Sequence, residues 1–206
     1  MTILNNNNEA MWTDMWRRVK NHCRTTVRKD FTEKDPTDAF KWMILISEHS
    51  PIRLLEFDWS WRGIKYWVST HWVRHKFEKF VSTQRNDRQK EYDRNDAPQD
   101  TLVNFDGYAN MQQLIDAWRK RLCFQASPET RELAEDFKRT LYENDHKIES
   151  DVLVPNCIYR GGCPEMKTCG YWNSFLDWAL KNGYTYEDML DINKRYAAYN
   201  RRFYRN

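Results

Sequence analysis

The chain has 206 residues and lacks the features that would classify it at a glance. No run of apolar residues approaches the roughly 20 needed to cross a bilayer. The N-terminus, Met1 to Ala10, is polar and Asn-rich, without the basic and apolar regions of a secretory leader. Both absences predict a cytoplasmic protein with no membrane partner. A disulfide framework is missing too. Cys23, Cys123, Cys157, Cys163 and Cys169 are odd in number and show no dense pairing, which points to reduced thiols. Net charge is only +3, too little to argue for nucleic acid from electrostatics; that partner stays possible without being favoured. No internal repeat or linker-like stretch divides the chain. A disordered segment is therefore expected at 1–9, followed by one domain over 10–206, long enough to bury a core.

What the chain has in excess is tryptophan, ten residues in all. Large aromatic side chains dominate core burial, so a Trp-rich core is the default, with flat surfaces for stacking a base or cofactor as the alternative. Trp12, Met15, Trp16, Val19 and Cys23 recur at helical spacing, with Arg17, Arg18 and Lys20 on the wet side. Asp35-Pro36 reads as the start of a second helix, with Phe40, Met43 and Ile46 as its buried stripe and Ser50-Pro51 as its end. Phe57, Trp59 and Trp61 alternate with Glu56, Asp58, Ser60 and Arg62, the period of a half-buried strand, which Gly63 closes. The period then turns helical through Ile64, Trp67, Val68, His71, Trp72 and His75 to Phe77. Residues 81–98 are polar, a loop that is either functional or disordered.

The second half reads as mostly helical. Met111, Leu114, Ile115, Trp118 and Leu122 form one stripe, and Ser127-Pro128 opens a helix carrying Leu133, Phe137 and Leu141. Asp151 to Cys169 is irregular. Trp172, Phe175, Leu176 and Ala179 form a helix stopped by Gly183, and Thr185 caps a last one with Met189, Ile192 and Tyr196. Its end, Tyr196 to Arg202, is an amphipathic helix end or, alternatively, a stacking surface for RNA. The expected fold class is α+β, a short antiparallel sheet flanked by helices.

Chemistry-bearing residues gather around the third of these helices. His71, Arg74, His75 and Glu78 fall at offsets of three, four and seven, which predicts one helix face near the helix end. Cations there are favoured by the macrodipole and can hold phosphate or an electron-rich ring by charge-assisted hydrogen bonds. Ser82, Thr83, Gln84, Arg85 and Arg88 follow, with hydroxyl, amide and guanidinium groups suited to a nucleotide. Two other readings of the histidines stay open. They can be packing residues against Trp67 and Trp72, or zinc ligands completed by Glu78 or a cysteine, although Arg74 and Lys76 would repel a cation. Cys157, Cys163 and Cys169 are separated by five residues each rather than by CxxC spacing, so they are read as buried or adventitious thiols. No metal site is expected.

The stretch from Ser50 to Arg88 resembles the flavin-dependent thymidylate synthases. The resemblance rests on His71-Trp72-Val73-Arg74-His75-Lys76, on Ser82-Thr83-Gln84-Arg85, and on the approach Glu48-His49-Ser50-Pro51. It continues more weakly in Val154-Pro155 to Tyr159 and in Trp172 to Leu176. It implies the thymidylate-synthase-complementing fold, a homotetramer with active sites built between subunits, and bound FAD. The implied activity is methyl transfer to deoxyuridylate or a related pyrimidine deoxynucleotide, with methylenetetrahydrofolate as carbon donor and NADPH as reductant. By resemblance His49, Ser50, Arg74, His75 and Lys76 would hold the flavin. His71, Ser82, Thr83, Gln84 and Arg85 would hold the nucleotide. Several positions depart from the family pattern. Lys76 stands for an Arg, keeping charge without the planar fork. Ser82 comes after five intervening residues rather than seven, and His71 replaces a Gln. Ala179 falls where a substrate-contacting Arg is expected. These departures support a second reading, a catalytically lapsed relative kept as a nucleotide- or nucleic-acid-binding or assembly protein.

Overall fold

A computed structural model describes residues 1–6 and 8–205. Its centre is a four-stranded antiparallel sheet in the order β1-β2-β4-β3. The strands are β1 (Thr2–Leu4), β2 (Glu56–Lys65), β3 (Glu78–Val81) and β4 (Leu102–Asn110). Helices α1 (Glu9–Thr26) and α2 (Asp38–Ile46) precede β2, and α3 (Tyr66–Trp72) lies between β2 and β3. After the sheet come α4 (Met111–Arg121), α5 (Pro128–Glu143), α6 (Lys147–Asp151), α7 (Asn156–Arg160), α8 (Tyr171–Lys181), α9 (Tyr186–Leu190) and α10 (Ile192–Arg205). This is the expected α+β class, with helices flanking a short antiparallel sheet.

The core forms on one face of the sheet because β2 and β4 both alternate. Phe57, Trp59 and Trp61 point inward from β2, and Val103, Phe105 and Ala109 from β4. Trp59 is the hub. Its ring lies 5.7 Å from Trp61, 5.3 Å from Phe77, 5.9 Å from Trp118 and 5.1 Å from Phe137, measured between centroids. Directly across the ladder stands Gly107, where a Cβ would sit 2.2 Å from the Trp59 indole. No other residue leaves room for that ring. Trp12, Trp16, Trp59, Trp61, Trp72 and Trp118 are all buried, which settles most of the tryptophan excess as core.

The helices follow their caps. Asn8 caps α1 by accepting from the Met11 amide, and Asn110 and Gln113 form a reciprocal capping box on α4. The structure corrects several boundaries. Residues 1–9, expected to be disordered, include strand β1, and Glu9 already belongs to α1; Asn7 lies outside the described residues. Asparagine-rich composition hid a strand that needs only one inward side chain, and Thr2 supplies it by accepting from the Trp61 indole at 2.8 Å. Helix α2 begins after Thr37, not at Asp35-Pro36, and buries Ile44 and Leu45, whereas Met43 is exposed. Gly63 does not end β2. It sits at φ 65° in a bulge where one extra residue faces β4 between Trp61 and Ile64. The terminal helix breaks at Asp191 into α9 and α10, and the supposedly irregular 151–169 contains α7. Strand β4, the central partner of both β2 and β3, had no counterpart in the sequence reading.

Candidate functional site

Helix α3 is shorter than its periodicity predicts, ending at Trp72 with Val73 as its cap. Arg74, His75 and Lys76 therefore lie in the turn that carries the chain from α3 into β3, and Glu78 belongs to the strand. The expected single helical face of His71, Arg74, His75 and Glu78 is thus corrected. His71 stays on the helix, and the other three leave it.

A turn can still gather what a helix face would have gathered, and here α4 does so. Arg121, its last residue, donates from Nε to Nε2 of His75 at 2.7 Å and from a terminal nitrogen to the His71 carbonyl at 2.6 Å. Lys79 donates to the His75 carbonyl at 2.5 Å. Guanidinium only donates, so Nε2 of His75 must accept, and the ring is neutral with its proton on Nδ1. Burial, then the charges of Arg121 and Lys79, hold His75 down at a pKa of about 4. His71 is lowered by burial and by Arg121 and Arg74, and its Nδ1 lies 2.9 Å from the Thr130 hydroxyl at the start of α5. Arg74 and Lys76 are exposed. Among the described residues no carboxylate forms an ion pair with Arg74, Lys76 or Arg121. The turn is a patch of concentrated positive charge around a neutral imidazole.

The following segment extends this region without enclosing it. Ser82 continues the β3–β4 ladder, its amide donating to the Asn104 carbonyl at 2.9 Å and its hydroxyl accepting from the Asn104 amide at 3.0 Å. Thr83 accepts from the Arg85 amide at 3.2 Å. Arg85 itself is engaged by Asp87 through two hydrogen bonds of 2.9 and 2.7 Å, with both side chains more than half exposed. Gln84 is half-buried.

His49 and Ser50 belong to a different neighbourhood. They open a short 3-10 turn, Ser50–Leu54, at the end of α2, and both are exposed. Beside them Glu48 holds φ at 51°, a backbone region usually left to glycine at a helix end. Its carboxylate meets Arg119 of α4 in an ion pair and accepts from Gln112 at 2.8 Å. Arg119 in turn lies 3.5 Å over the Tyr159 ring. Burial alone would lower the Arg119 pKa, but the hydrogen bond and charge of Glu48 outweigh it and raise it. Gln112 and Arg119 share one face of α4, and Arg121 projects from the other, roughly half a turn away. Within one chain, the two groups of flavin-assigned residues are thus on opposite sides of α4.

Two further findings bear on the expected sites. Ala179, the position of the missing substrate arginine, is fully buried in α8, where an arginine side chain has no room. The evenly spaced Cys157, Cys163 and Cys169 have a neighbour that sequence spacing did not reveal. Cys123 follows α4, and burial first, then the other three thiols, push the Cys157 pKa up to about 12. Among the described residues, no group of three or more His, Cys, Asp or Glu could hold a metal ion. No described helix is long and apolar enough to cross a membrane. A cleft of about 700 Å³ between α1 and α6 is lined by Trp12, Trp16, Lys41, His146 and Glu149 among others, and by none of the α3–β3 turn.

No protein-family model matches the chain, and no curated protein matches it. Solved structures do. Thymidylate synthase X from Helicobacter pylori, with FAD and dUMP, aligns over 74% of this chain and 98% of its own, at 13% identity and a TM-score of 0.56. A second structure of the flavin-dependent thymidylate synthase from that organism, complexed with FAD and dUMP, covers 74% and 99% at 14% identity and a TM-score of 0.57. Identity this low establishes a shared fold and leaves the chemistry to the residues.

Proposed function

We propose that this protein binds a flavin and a pyrimidine deoxynucleotide and carries out FAD-dependent methyl transfer to deoxyuridylate or a related pyrimidine. In this reading methylenetetrahydrofolate is the carbon donor and NADPH the reductant. The observation that carries the reading is the coincidence of two independent things. The fold is that of the flavin-dependent thymidylate synthases, and the segment resembling their signature forms the cationic α3–β3 turn. A half-buried guanidinium with no carboxylate partner among the described residues, beside two exposed cations, suits a phosphate-bearing ligand. FAD would supply the redox chemistry and methylenetetrahydrofolate the carbon; the protein's part is binding and orientation.

The roles follow from position. Arg74 and Lys76 are free to reach phosphate oxygens, and His75, neutral, offers its Nδ1 proton as a donor. His71 sits at the α3–α5 contact and orients through Thr130. Ser82, Thr83 and Gln84 offer hydroxyl and amide groups to a nucleotide, while Arg85 must first leave Asp87. His49 and Ser50 stand on the far side of α4, so they join the turn only if a second subunit brings its own copies. That is the arrangement of a homotetramer with shared sites, in a cytoplasmic enzyme.

One observation favours the alternative, a catalytically lapsed nucleotide-binding or assembly protein. The buried Ala179 removes a substrate contact that no substitution at that position could restore. Absorbance spectroscopy separates the two readings. An active relative titrated with FAD should show the bound-flavin spectrum, and light scattering should show a tetramer at micromolar concentration. A free-FAD spectrum left unchanged by the protein, or a clean monomer, would overturn the shared-site flavoprotein.

A further inference from the structure

Arg121 belongs to no motif, yet it organises the turn. It is the end of α4, three of whose final residues, Arg119, Lys120 and Arg121, are basic. Such a run is ordinary at a helix C-terminus, where cations are favoured. Their fates differ. Lys120 lies 3.4 Å from Glu165, and Arg119 is paired with Glu48. Arg121 alone turns inward without a carboxylate partner among the described residues, and burial first, then the charge of Arg74, lowers its pKa. Leaving a partly buried cation uncompensated is costly, and a fold does not keep one next to a second cation for packing alone.

Its geometry shows what it can do. Nε and one terminal nitrogen are committed to His75 and to the His71 carbonyl. Those two bonds lock the guanidinium plane against the end of α3 and leave the rest of the fork unassigned. A locked, planar, charged fork with spare donors is the arrangement that recognises a phosphate bidentately. The same bond fixes His75 with its proton on Nδ1.

We propose that Arg121 is the anchor of a phosphate-binding site at the α3–β3 turn, binding the anion with Arg74 and holding His75 as a neutral hydrogen-bond donor. The inference deepens the functional reading above, resting on that turn as the ligand site, and adds a residue that the signature does not contain. The shared chemistry of the ligand is a phosphate ester or pyrophosphate. The two sources are a flavin dinucleotide and a pyrimidine monophosphate.

The test uses the full-length protein, thermal shift and calorimetric titration, and four probes: inorganic pyrophosphate, FAD, riboflavin and dUMP. Riboflavin carries no phosphate and serves as the control. In Arg121→Gln, affinity for at least one phosphate-bearing probe should fall tenfold or more, and any riboflavin binding should be unchanged. The unliganded melting temperature should change little, because removing a repelled charge offsets the two hydrogen bonds lost. A second readout does not depend on any ligand. The charged groups facing His75 are Arg121 from α4, Lys79 from β3 and Arg74 beside it. Without Arg121, its NMR titration midpoint should move up from about 4 toward the ordinary histidine value of about 6.5. Arg121→Lys should keep part of the anion affinity and lose the bidentate share; it also gives the reading if the glutamine variant does not fold.

The outcomes separate the two levels of argument. If the parent binds pyrophosphate in an Arg121-dependent way but neither FAD nor dUMP, the anchor stands and the flavoprotein reading falls. If the parent binds FAD and dUMP and both variants bind them equally well, the anchor is wrong and the flavoprotein reading survives. A parent that binds none of the phosphate probes, or a His75 midpoint unmoved in Arg121→Gln, overturns the proposal.

Discussion

Helix α4 carries two arginines, two residues apart, that the fold treats in opposite ways. Arg119 faces Glu48, Gln112 and Tyr159, and its side chain is 13% exposed within a set of partners that answers its charge. Arg121 faces a neutral imidazole, a carbonyl and a second arginine. Both are partly buried and both are hydrogen-bonded, so neither burial nor bond count distinguishes them. The difference is compensation. A charge with its counter-charge inside the protein is a structural element; one without it is completed from outside. The first neighbourhood should therefore govern stability and the second should govern binding.

The sharpest way to break that division is to remove the counter-charge. Glu48→Ala leaves buried Arg119 with only Asp116, 3.7 Å away and 63% exposed, which should cost about 3 kcal/mol, the lower end for breaking a buried pair. Denaturant unfolding measures it. Arg121→Gln, on the other face, should cost less than about 1 kcal/mol, because removing a repelled charge offsets the two hydrogen bonds it gives up. Equal losses in the two variants would show that compensation is not what separates the faces.

Binding should show the reverse pattern. Arg74 is exposed and has no carboxylate partner among the described residues, so it contributes little to folding beyond its stem. Arg74→Ala should keep the unliganded melting temperature and lose about 1.5–3 kcal/mol of affinity for FAD or dUMP, roughly ten- to hundredfold. The stabilisation that either ligand gives the parent should shrink accordingly. Ligand-induced shifts of equal size in parent and variant would remove Arg74 from the site.

How much of this contrast could be read from the chain depends on how local its causes are. Strand β2 was legible because Phe57, Trp59 and Trp61 are large and alternate cleanly. Helices α4 and α5 were legible from their stripes and starts. Strand β4 was not, because two of its inward positions are Gly107 and Ala109. Small residues mute the alternation, and a glycine reads as a breaker when its purpose is to admit the Trp59 ring from the neighbouring strand. The candidate site divides the same way. Arg74, His75 and Lys76 were singled out by resemblance, which needs only neighbouring letters. Arg121 lies 46 residues from His75 and Arg119 lies 71 from Glu48, so which one is answered by a carboxylate is decided by the packing of α4 alone.

Acid offers a smaller test of the same contrast. His75 is neutral in the native protein at a pKa of about 4, against about 6.5 in an unfolded chain. Between those values the unfolded state binds more protons, so stability is lost as the pH falls through that window. Protonation would also add a cation beside Arg121. Because the ring is half-exposed, solvent softens the effect to about 1 kcal/mol between pH 7 and 5. His75→Gln can still accept from Arg121 but cannot titrate, so the parent's acid loss should exceed the variant's by that amount. Parallel pH profiles would show that His75 is not held neutral by its surroundings.

The least effect is expected at Arg85, which tests whether compensation matters when burial is absent. Arg85 and Asp87 form a two-point pair at 2.9 and 2.7 Å, geometrically as good as any in the protein, yet their side chains are 58% and 60% exposed. Water screens both charges, and holding two mobile side chains in one geometry offsets most of the attraction. Arg85→Ala should therefore change the unfolding free energy by less than about 0.5 kcal/mol. A loss near that of Glu48→Ala would mean that pairing itself stabilises, wherever it occurs, and the contrast between the faces of α4 would lose its physical basis. The same variant also shows which partner Arg85 is kept for. If it exchanges Asp87 for a nucleotide phosphate, Arg85→Ala weakens dUMP binding while stability holds, and Asp87→Ala strengthens it by freeing the guanidinium. If dUMP affinity is unchanged in both, Arg85 is a surface pair of the loop and no part of the nucleotide site.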